Sequence, residues 1–201
     1  MAVLAVFLAG GLARRMGGGD KALLSLGGRS LLDHAISRIG PQVAAMVLNA
    51  NGDPARFAAC GLPVVADPLP DFPGPLAGIL AGMRYAAALD SGLTEMVSIP
   101  TDTPFLPADL VARLQTAAPL AVACSGGRTH PVVGLWPVRL ADALEAALRA
   151  GERKIDRWTL RHGVREVAFD DTPVDPFFNI NTQEDLAAAE LVLGQVPVVA
   201  G

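Results

Sequence analysis

The chain has 201 residues, 51% hydrophobic, 18% charged and 5% aromatic, and 16 Lys and Arg against 20 Asp and Glu set a formal net charge of −4. At ~100–200 residues per domain this predicts one domain over 1–194 with a loose tail over 195–201; high apolar content and small net charge exclude disorder for most of it. The basic residues are scattered, with no concentrated cluster to displace counterions, so no nucleic-acid partner is expected.

Val3–Leu8 is a continuous apolar run bounded by glycine, which predicts a strand buried on both faces. The run is too short to span a bilayer, and Arg14-Arg15 follow it instead of preceding it. No membrane partner is expected, and the reading is a cytoplasmic, reduced compartment in which Cys60 and Cys124 are small apolar side chains, not a disulfide. Ser30-Leu31-Leu32-Asp33 is close to a capping box and predicts a helix to about Ile39. Val43–Ala50 reads as a second strand, Pro54–Ala59 as a short helix begun by proline, and Pro63–Ala66 as a third strand. Over Pro75–Leu89, Leu76, Ile79, Leu80 and Met83 share one helical face. Gly74, Gly78 and Gly82 recur there at four-residue spacing, as close packing against the loop after the first strand would require.

Met96–Ile99 reads as the fourth strand, and Pro107–Thr116 as a helix with proline near its first turn. Leu120–Cys124 and Val132–Trp136 are strands separated by the polar turn Ser125-Gly126-Gly127. Pro137–Ala150 reads as a helix closed by Gly151, followed by a helix near Ile155–Arg161 and a strand over Val164–Phe169. The last helix spans Thr182–Leu193, with Thr182 as N-cap and Asp185 at its third position. This alternation predicts a three-layer α/β fold, an open and mostly parallel sheet with helices on both faces. Ligands of such sheets bind beyond the carboxyl ends of the strands, at the switch point. That rule selects Ala9–Lys21, Asn49-Ala50-Asn51, Asp67-Pro68 and Thr101-Asp102-Thr103.

The densest signal is Leu8–Lys21, with five glycines in fourteen residues, two arginines and a lysine. Glycines let the backbone approach a ligand and gather its N–H groups into an anion nest, and the basic side chains add charge. These are the parts of a triphosphate cradle. A Walker A loop fails on spacing, because Lys21 follows Asp20 and precedes Ala22. Gly17-x-Gly19-x-x-Ala22 satisfies a dinucleotide fingerprint only formally, since it lies nine residues past the strand.

Leu8-Ala9-Gly10-Gly11, then Arg15-Met16-Gly17-Gly18-x-Asp20-Lys21 and Leu23-Leu24-x-Leu26-x-Gly28, resembles the signature of the molybdenum cofactor guanylyltransferases. These belong to a wider nucleotidyltransferase group that includes sugar-1-phosphate and cytidylyl transferases. The resemblance continues through Asp71–Gly78, Pro100–Pro107, His130-Pro131 and Phe178–Leu186, so it covers about residues 3–190. Where the family often carries cysteine before the aspartate of the second of these blocks, this chain has Thr101.

The resemblance implies a Rossmann-like nucleotidyltransferase fold and transfer of GMP from GTP to molybdopterin bearing molybdenum, with release of pyrophosphate. It implies Mg²⁺ as cofactor, with Asp102 as its ligand, and Arg15, Lys21 and Asp102 as the catalytic set. The lesser alternative, read from its neighbours alone, is that Asp102 caps a helix beginning near Pro104. The GTP contacts implied are Leu8, Ala9, Gly10, Gly11, Lys21, Asn49, Asp67 and Asp102, with Asp67 on either guanine or ribose. Asn179 and Asn181 resemble the family's paired asparagines on the pterin side. Asp20 is read as orienting Lys21 or the loop, His130 as structural, and His34 and His162 as surface side chains. Molybdoenzymes or their chaperones are implied as transient partners. The rivals are the same chemistry with CTP and molybdopterin or with a sugar 1-phosphate, and a non-catalytic nucleotide-binding partner.

Overall fold

Val3–Leu8 forms β1, and its side chains divide between two cores: Val3, Ala5 and Phe7 join one apolar cluster, Leu4 and Val6 the other. That is the period-two alternation of a strand covered on both faces. A computed structural model describes residues 2–10, 19–69, 74–89 and 92–195. After β1 come β2 (Ser25–Leu26), β3 (Arg29–Ser30), α1 (Leu31–Ile39), β4 (Ala45–Asn49), β5 (Val64–Val65), α2 (Pro75–Ala88) and β6 (Glu95–Pro100). They are followed by α3 (Leu110–Ala117), β7 (Ala121–Ser125), β8 (Arg128–Pro137), α4 (Ala141–Arg149), α5 (Ile155–Arg161), β9 (Arg165–Phe169) and α6 (Gln183–Gln195).

Among the described residues seven strands form one sheet in the order β5-β4-β1-β6-β8-β7-β9. β8 runs antiparallel to both neighbours, and every other pairing is parallel. α1 and α3 pack on one face through Leu32, Ala35, Ile39, Leu110 and Leu114, whereas α2, α4 and α5 cover the other through Ile79, Met83, Leu144 and Trp158. The predicted three-layer, mostly parallel architecture is therefore the one observed. From β1 the chain winds outward to β4 and β5, then returns to place β6 on the other side of β1. The switch point thus lies between β1 and β6. There one register row runs across four strands as Val65, Asn49, Leu8 and Pro100.

Ser30 accepts from the Asp33 N–H at 3.0 Å while Asp33 accepts from the Ser30 N–H at 3.2 Å, so the capping box is complete with aspartate in the glutamate position. Thr182 and Asp185 form the same reciprocal pair at α6, at 3.1 and 2.9 Å. Element ends differ from expectation by up to four residues, as at α4, which begins at Ala141 and not Pro137, and two of the differences have a visible cause. α3 begins at Leu110, not Pro107, because its N-terminus is held from elsewhere in the chain: Gln42 donates to the Pro107 carbonyl at 2.9 Å and accepts from the Val111 N–H at 2.9 Å. β8 starts at Arg128, since Gly126 and Gly127 have φ of 53° and 74° and turn a tight hairpin that carries pairing through to it. Pro131 has no N–H to extend the ladder, and the register shifts across it between Val122 and Ala123.

A smaller apolar cluster lies outside the sheet. Leu26 and Leu31, at the β2–β3 hairpin, pack with Ile180 and Ala189 of the C-terminal segment, and Glu190 accepts from the Gly27 N–H at 2.9 Å. This cluster brings residues 20–31 beside residues 179–190. Cys60 and Cys124 are both free thiols. Among the described residues no helix is long and apolar enough to cross a membrane. Residues 196–201 of the expected tail lie outside the described residues, whereas Gln195 ends α6.

Candidate active site

A cavity of about 410 Å³ opens beyond the carboxyl ends of β1, β4 and β6, lined by Leu8, Gly10, Lys21, Asn49, Asn51, Asp67, Gly74, Pro75, Pro100, Thr101, Asp102 and Val132. Every segment selected by the switch-point rule contributes to it. Arg15 and Gly11, two expected site residues, lie outside the described residues, as do residues 71–73 of the Asp71–Gly78 block. Ala9 is buried and does not line the cavity; its N–H donates to the Asn49 carbonyl at 2.9 Å.

Lys21 is the junction of the site. Its ammonium donates to Asp102 Oδ2 at 2.6 Å and to Asn181 Oδ1 at 2.6 Å, residues 81 and 160 positions away. The Lys21 and Asp102 side chains keep only 12% and 20% of their surface exposed, so their pairing is weakly screened. An ammonium has three donors. Two are engaged here, and one remains to meet an anion. Asp102 does not cap a helix: the segment after it is irregular up to Asp109, the N-cap position of α3. Its carbonyl instead accepts from the Ile180 N–H at 3.0 Å, stitching the β6 loop to the Asn179–Asn181 segment.

Asp67 is held by two amides. Asn49 donates to one oxygen at 3.0 Å and to the Val65 carbonyl at 3.2 Å, and Asn51 donates to the other oxygen at 2.7 Å. The Asp67 N–H returns a bond to Asn51 Oδ1 at 2.9 Å, which fixes the orientation of that amide. Asn51 lies in a segment the switch-point rule selects but is not among the expected GTP contacts, although its spacing from Asn49 just past a strand end is a usable signal. Asp20 pairs with Arg56 at 2.9 Å, so it anchors the end of the glycine-rich loop and does not touch Lys21. Asp185 receives the Asn181 N–H at 2.8 Å; that bond, then those from Thr182 and the charge of Lys21, holds its carboxyl below the usual range.

Among the described residues the glycine helix packs on strands, whereas residues 11–18 of the loop the spacing pointed to lie outside them. A side chain at Gly78 would meet Asn49 and Leu8, and one at Gly82 would meet Met96 and Val6. His34 is half-buried, not a free surface side chain: its Nε2–H donates to the Leu26 carbonyl at 2.8 Å and braces the hairpin. His162 stacks on Trp158 with ring centres 4.0 Å apart, so it too exceeds a surface role.

The paired asparagines separate. Asn181 joins Lys21, whereas Asn179 lines a second cavity of about 240 Å³ that shares Asp102 with the first and includes His130 and Arg128. His130 is nearly buried, and burial lowers its pKa from the ordinary 6.5 against the opposing pull of Asp175. Between that lowered value and 6.5 the unfolded chain binds a proton that the folded ring refuses. Stability therefore falls as pH drops through this window. Urea unfolding between about pH 7 and pH 5 will show the loss in the native chain and a smaller one in His130→Gln. Equal losses in both would assign the effect to another group.

Residues 5–166 match the family model of the MobA-like NTP transferase domain. The chain is 58% identical to a molybdenum cofactor guanylyltransferase of Acidiphilium cryptum, with 92% of this chain and 93% of that one covered. It is 56% identical to one of a Bradyrhizobium strain, with 94% and 92% covered. In structure it is similar to molybdopterin-guanine dinucleotide biosynthesis protein A from Archaeoglobus fulgidus, at a TM-score of 0.74 and 23% identity over 96% of this chain and all of the other. The fold is shared with a nucleotidyl transferase from a methanogen, Methanothermobacter, at a TM-score of 0.73 and 20% identity over 97% and 99% of the two chains. With that sequence identity and coverage on a nucleotidyltransferase fold, the chain belongs to the MobA-like NTP transferase family and, within it, to the molybdenum cofactor guanylyltransferases.

Proposed function

We propose that this chain transfers GMP from GTP to the terminal phosphate of molybdopterin carrying molybdenum, forming the guanine dinucleotide cofactor and pyrophosphate. The observation that carries the reading is the meeting of Lys21, Asp102 and Asn181 at 2.6 Å contacts beside a cavity at the switch point, in a chain of this family. The acceptor's phosphate oxygen attacks the α-phosphorus, a new P–O bond forms there, and the bond to the pyrophosphate oxygen breaks. The nucleophile arrives ionised, so no strong general base is needed. What the chain must do is hold two anions together and stabilise the charge gathering on the leaving group.

Lys21 supplies that charge as a compact cation whose position Asp102 and Asn181 hold from two sides. Arg15 and the N–H groups of Gly10 and Gly11 are assigned to the β- and γ-phosphates, and Leu8 and Ala9 to the floor beneath the nucleoside. Asp67 offers oxygens to guanine N1–H and N2–H₂ or to the ribose hydroxyls, and Asn49 and Asn51 keep it aimed. Nucleotidyltransferases of this kind use a divalent metal, and the donor set here fits Mg²⁺. Among the described residues no three or more His, Cys, Asp or Glu side chains cluster, as a transition-metal cage would require. Asp67 and Asp102 both line the cavity, and one carboxylate at its Lys21 end suits a hard cation that keeps water and phosphate ligands. Asp102 would hold it, and bound there it would neutralise charge on the triphosphate and the departing pyrophosphate. Transient delivery of the product to molybdoenzymes or their chaperones follows from the same reading.

The test is direct. The chain incubated with GTP, Mg²⁺ and molybdopterin will yield the guanylated cofactor and pyrophosphate, and calorimetry with the four nucleoside triphosphates will show GTP bound at least about tenfold more tightly than the others. Equal affinity for CTP would favour the cytidylyl rival. Tight GTP binding without turnover on authentic molybdopterin would favour a non-catalytic nucleotide-binding protein.

A further inference from the structure

A built hydrogen-bond chain that the reaction above leaves unused ends at His130 in the wall of the second cavity. Asp175 Oδ1 accepts from the Phe177 N–H at 2.9 Å and from the Ser125 hydroxyl at 2.8 Å. A hydroxyl has one proton, and Ser125 gives it to the carboxylate. The 2.8 Å contact between Ser125 Oγ and His130 Nε2 must then be donated by the histidine. The neutral ring is thereby held with its proton on Nε2 and a bare lone pair on Nδ1. Phe177 lies against the ring at 4.8 Å between centres and limits its rotation.

Nδ1 has no hydrogen-bond partner among the described residues, yet it is not among their sealed, unsatisfied polar atoms, of which Trp158 Nε1 is the one found. The ring lines the cavity that also presents Asp102, Asn179 and Arg128. A relay that only filled space would bury or bond its last atom. This one ends in an unsealed acceptor on a ring that lines a cavity sharing Asp102 with the Lys21 site.

We propose that in this cavity, on the pterin side that Asn179 marks by the family resemblance, His130 Nδ1 reads a ring N–H or amino group of the acceptor's heterocycle, with Ser125 and Asp175 as positioning residues that fix the tautomer. The inference rests on the proposed guanylyl transfer, because a pterin is an N–H-rich heterocycle and its phosphate must reach Asp102. Arg128, exposed on the same wall, brings positive charge to an anionic ligand. The role is discrimination: a heterocycle with an acceptor at that place would meet a bare lone pair and be rejected.

With GTP saturating and molybdopterin varied, His130→Gln will raise the KM for molybdopterin about tenfold, the effect of one lost neutral hydrogen bond, while the Kd for GTP stays unchanged. His130→Asn, whose amide oxygen falls near Nδ1, will recover part of that loss. Ring ¹⁵N spectra of the native chain will show Nε2 protonated and Nδ1 bare, and Ser125→Ala will show mixed tautomers with a KM raised about threefold. Should His130→Gln fail to fold, the Ser125→Ala kinetics and spectrum decide alone. An Nδ1–H tautomer in the native chain, an unchanged molybdopterin KM, or an equal loss of GTP affinity would each overturn the proposal. Calorimetric binding of molybdopterin reads the subsite without turnover. Weaker binding in His130→Gln with no guanylation by the native chain would sink the reaction and uphold the subsite.

Discussion

Lys21→Ala and Asp102→Ala will each lower kcat by about 10²–10³, the scale of removing one group that stabilises transition-state charge in a preorganised site. The two residues are joined at 2.6 Å and mostly buried, so neither loss is confined to one residue. Without Lys21, the Asp102 carboxylate loses its ammonium partner and the triphosphate loses one of the cations that balance it. Without Asp102, the ammonium loses one of two anchors, and the site loses the carboxylate assigned to Mg²⁺. The double variant will therefore cost much less than the product of the singles, the signature of residues acting as a unit. Asn181→Ala removes only the second anchor of Lys21 and will cost about tenfold. Pyrophosphate release under saturating GTP, with thermal melting to confirm folding, measures all four. Near-native turnover in both single variants would remove Lys21 and Asp102 from the chemistry.

Gly82→Ala will destabilise the fold by about 1–3 kcal/mol, although alanine is the better helix former by about 1 kcal/mol. The added Cβ would lie 2.8 Å from the Val6 Cβ in the central strand and against the Met96 sulfur. A sulfur at the end of a flexible side chain can give way; a β-branched Cβ fixed to a buried strand cannot. The melting temperature will fall by roughly 2–12 °C, given about 2–4 °C per kcal/mol in a chain of this size. Gly78→Ala acts on a different quantity. Its Cβ would strike Asn49 and come within 2.7 Å of Leu8, displacing the amide that orients Asp67. It will weaken GTP binding about tenfold for a comparable loss of stability. Equal GTP affinity in Gly78→Ala and the native chain would separate Asn49 and Asp67 from the nucleotide.

Most of the fold was legible because its signals are local. The buried run Val3–Leu8, the capping boxes at Ser30 and Thr182, and the proline and glycine punctuation place elements with errors of a few residues. Where local patterning misled, a contact that the pattern does not encode had intervened. Gln42 supplies the N-terminal cap of α3, so Pro107 and Asp102 do not start a helix there. His34 and His162 read as surface residues until the hairpin carbonyl and the Trp158 ring are placed beside them.

The site divides along the same line. Its parts list was present in the chain: a glycine-rich basic loop, a lone aspartate after a strand, and polar residues at strand ends. Composition and motif spacing, together with the family resemblance they carry, determined the nucleotide chemistry and the layered α/β architecture. Only the tertiary structure decided that Lys21 binds Asp102 and Asn181 at once, that the two asparagines part company, and that Ser125 and Asp175 set the proton of His130. Each of those contacts joins segments 50 to 160 residues apart, or turns on which of several donors a hydroxyl or imidazole can face. Such choices depend on three-dimensional packing between elements, which no local pattern along the chain encodes.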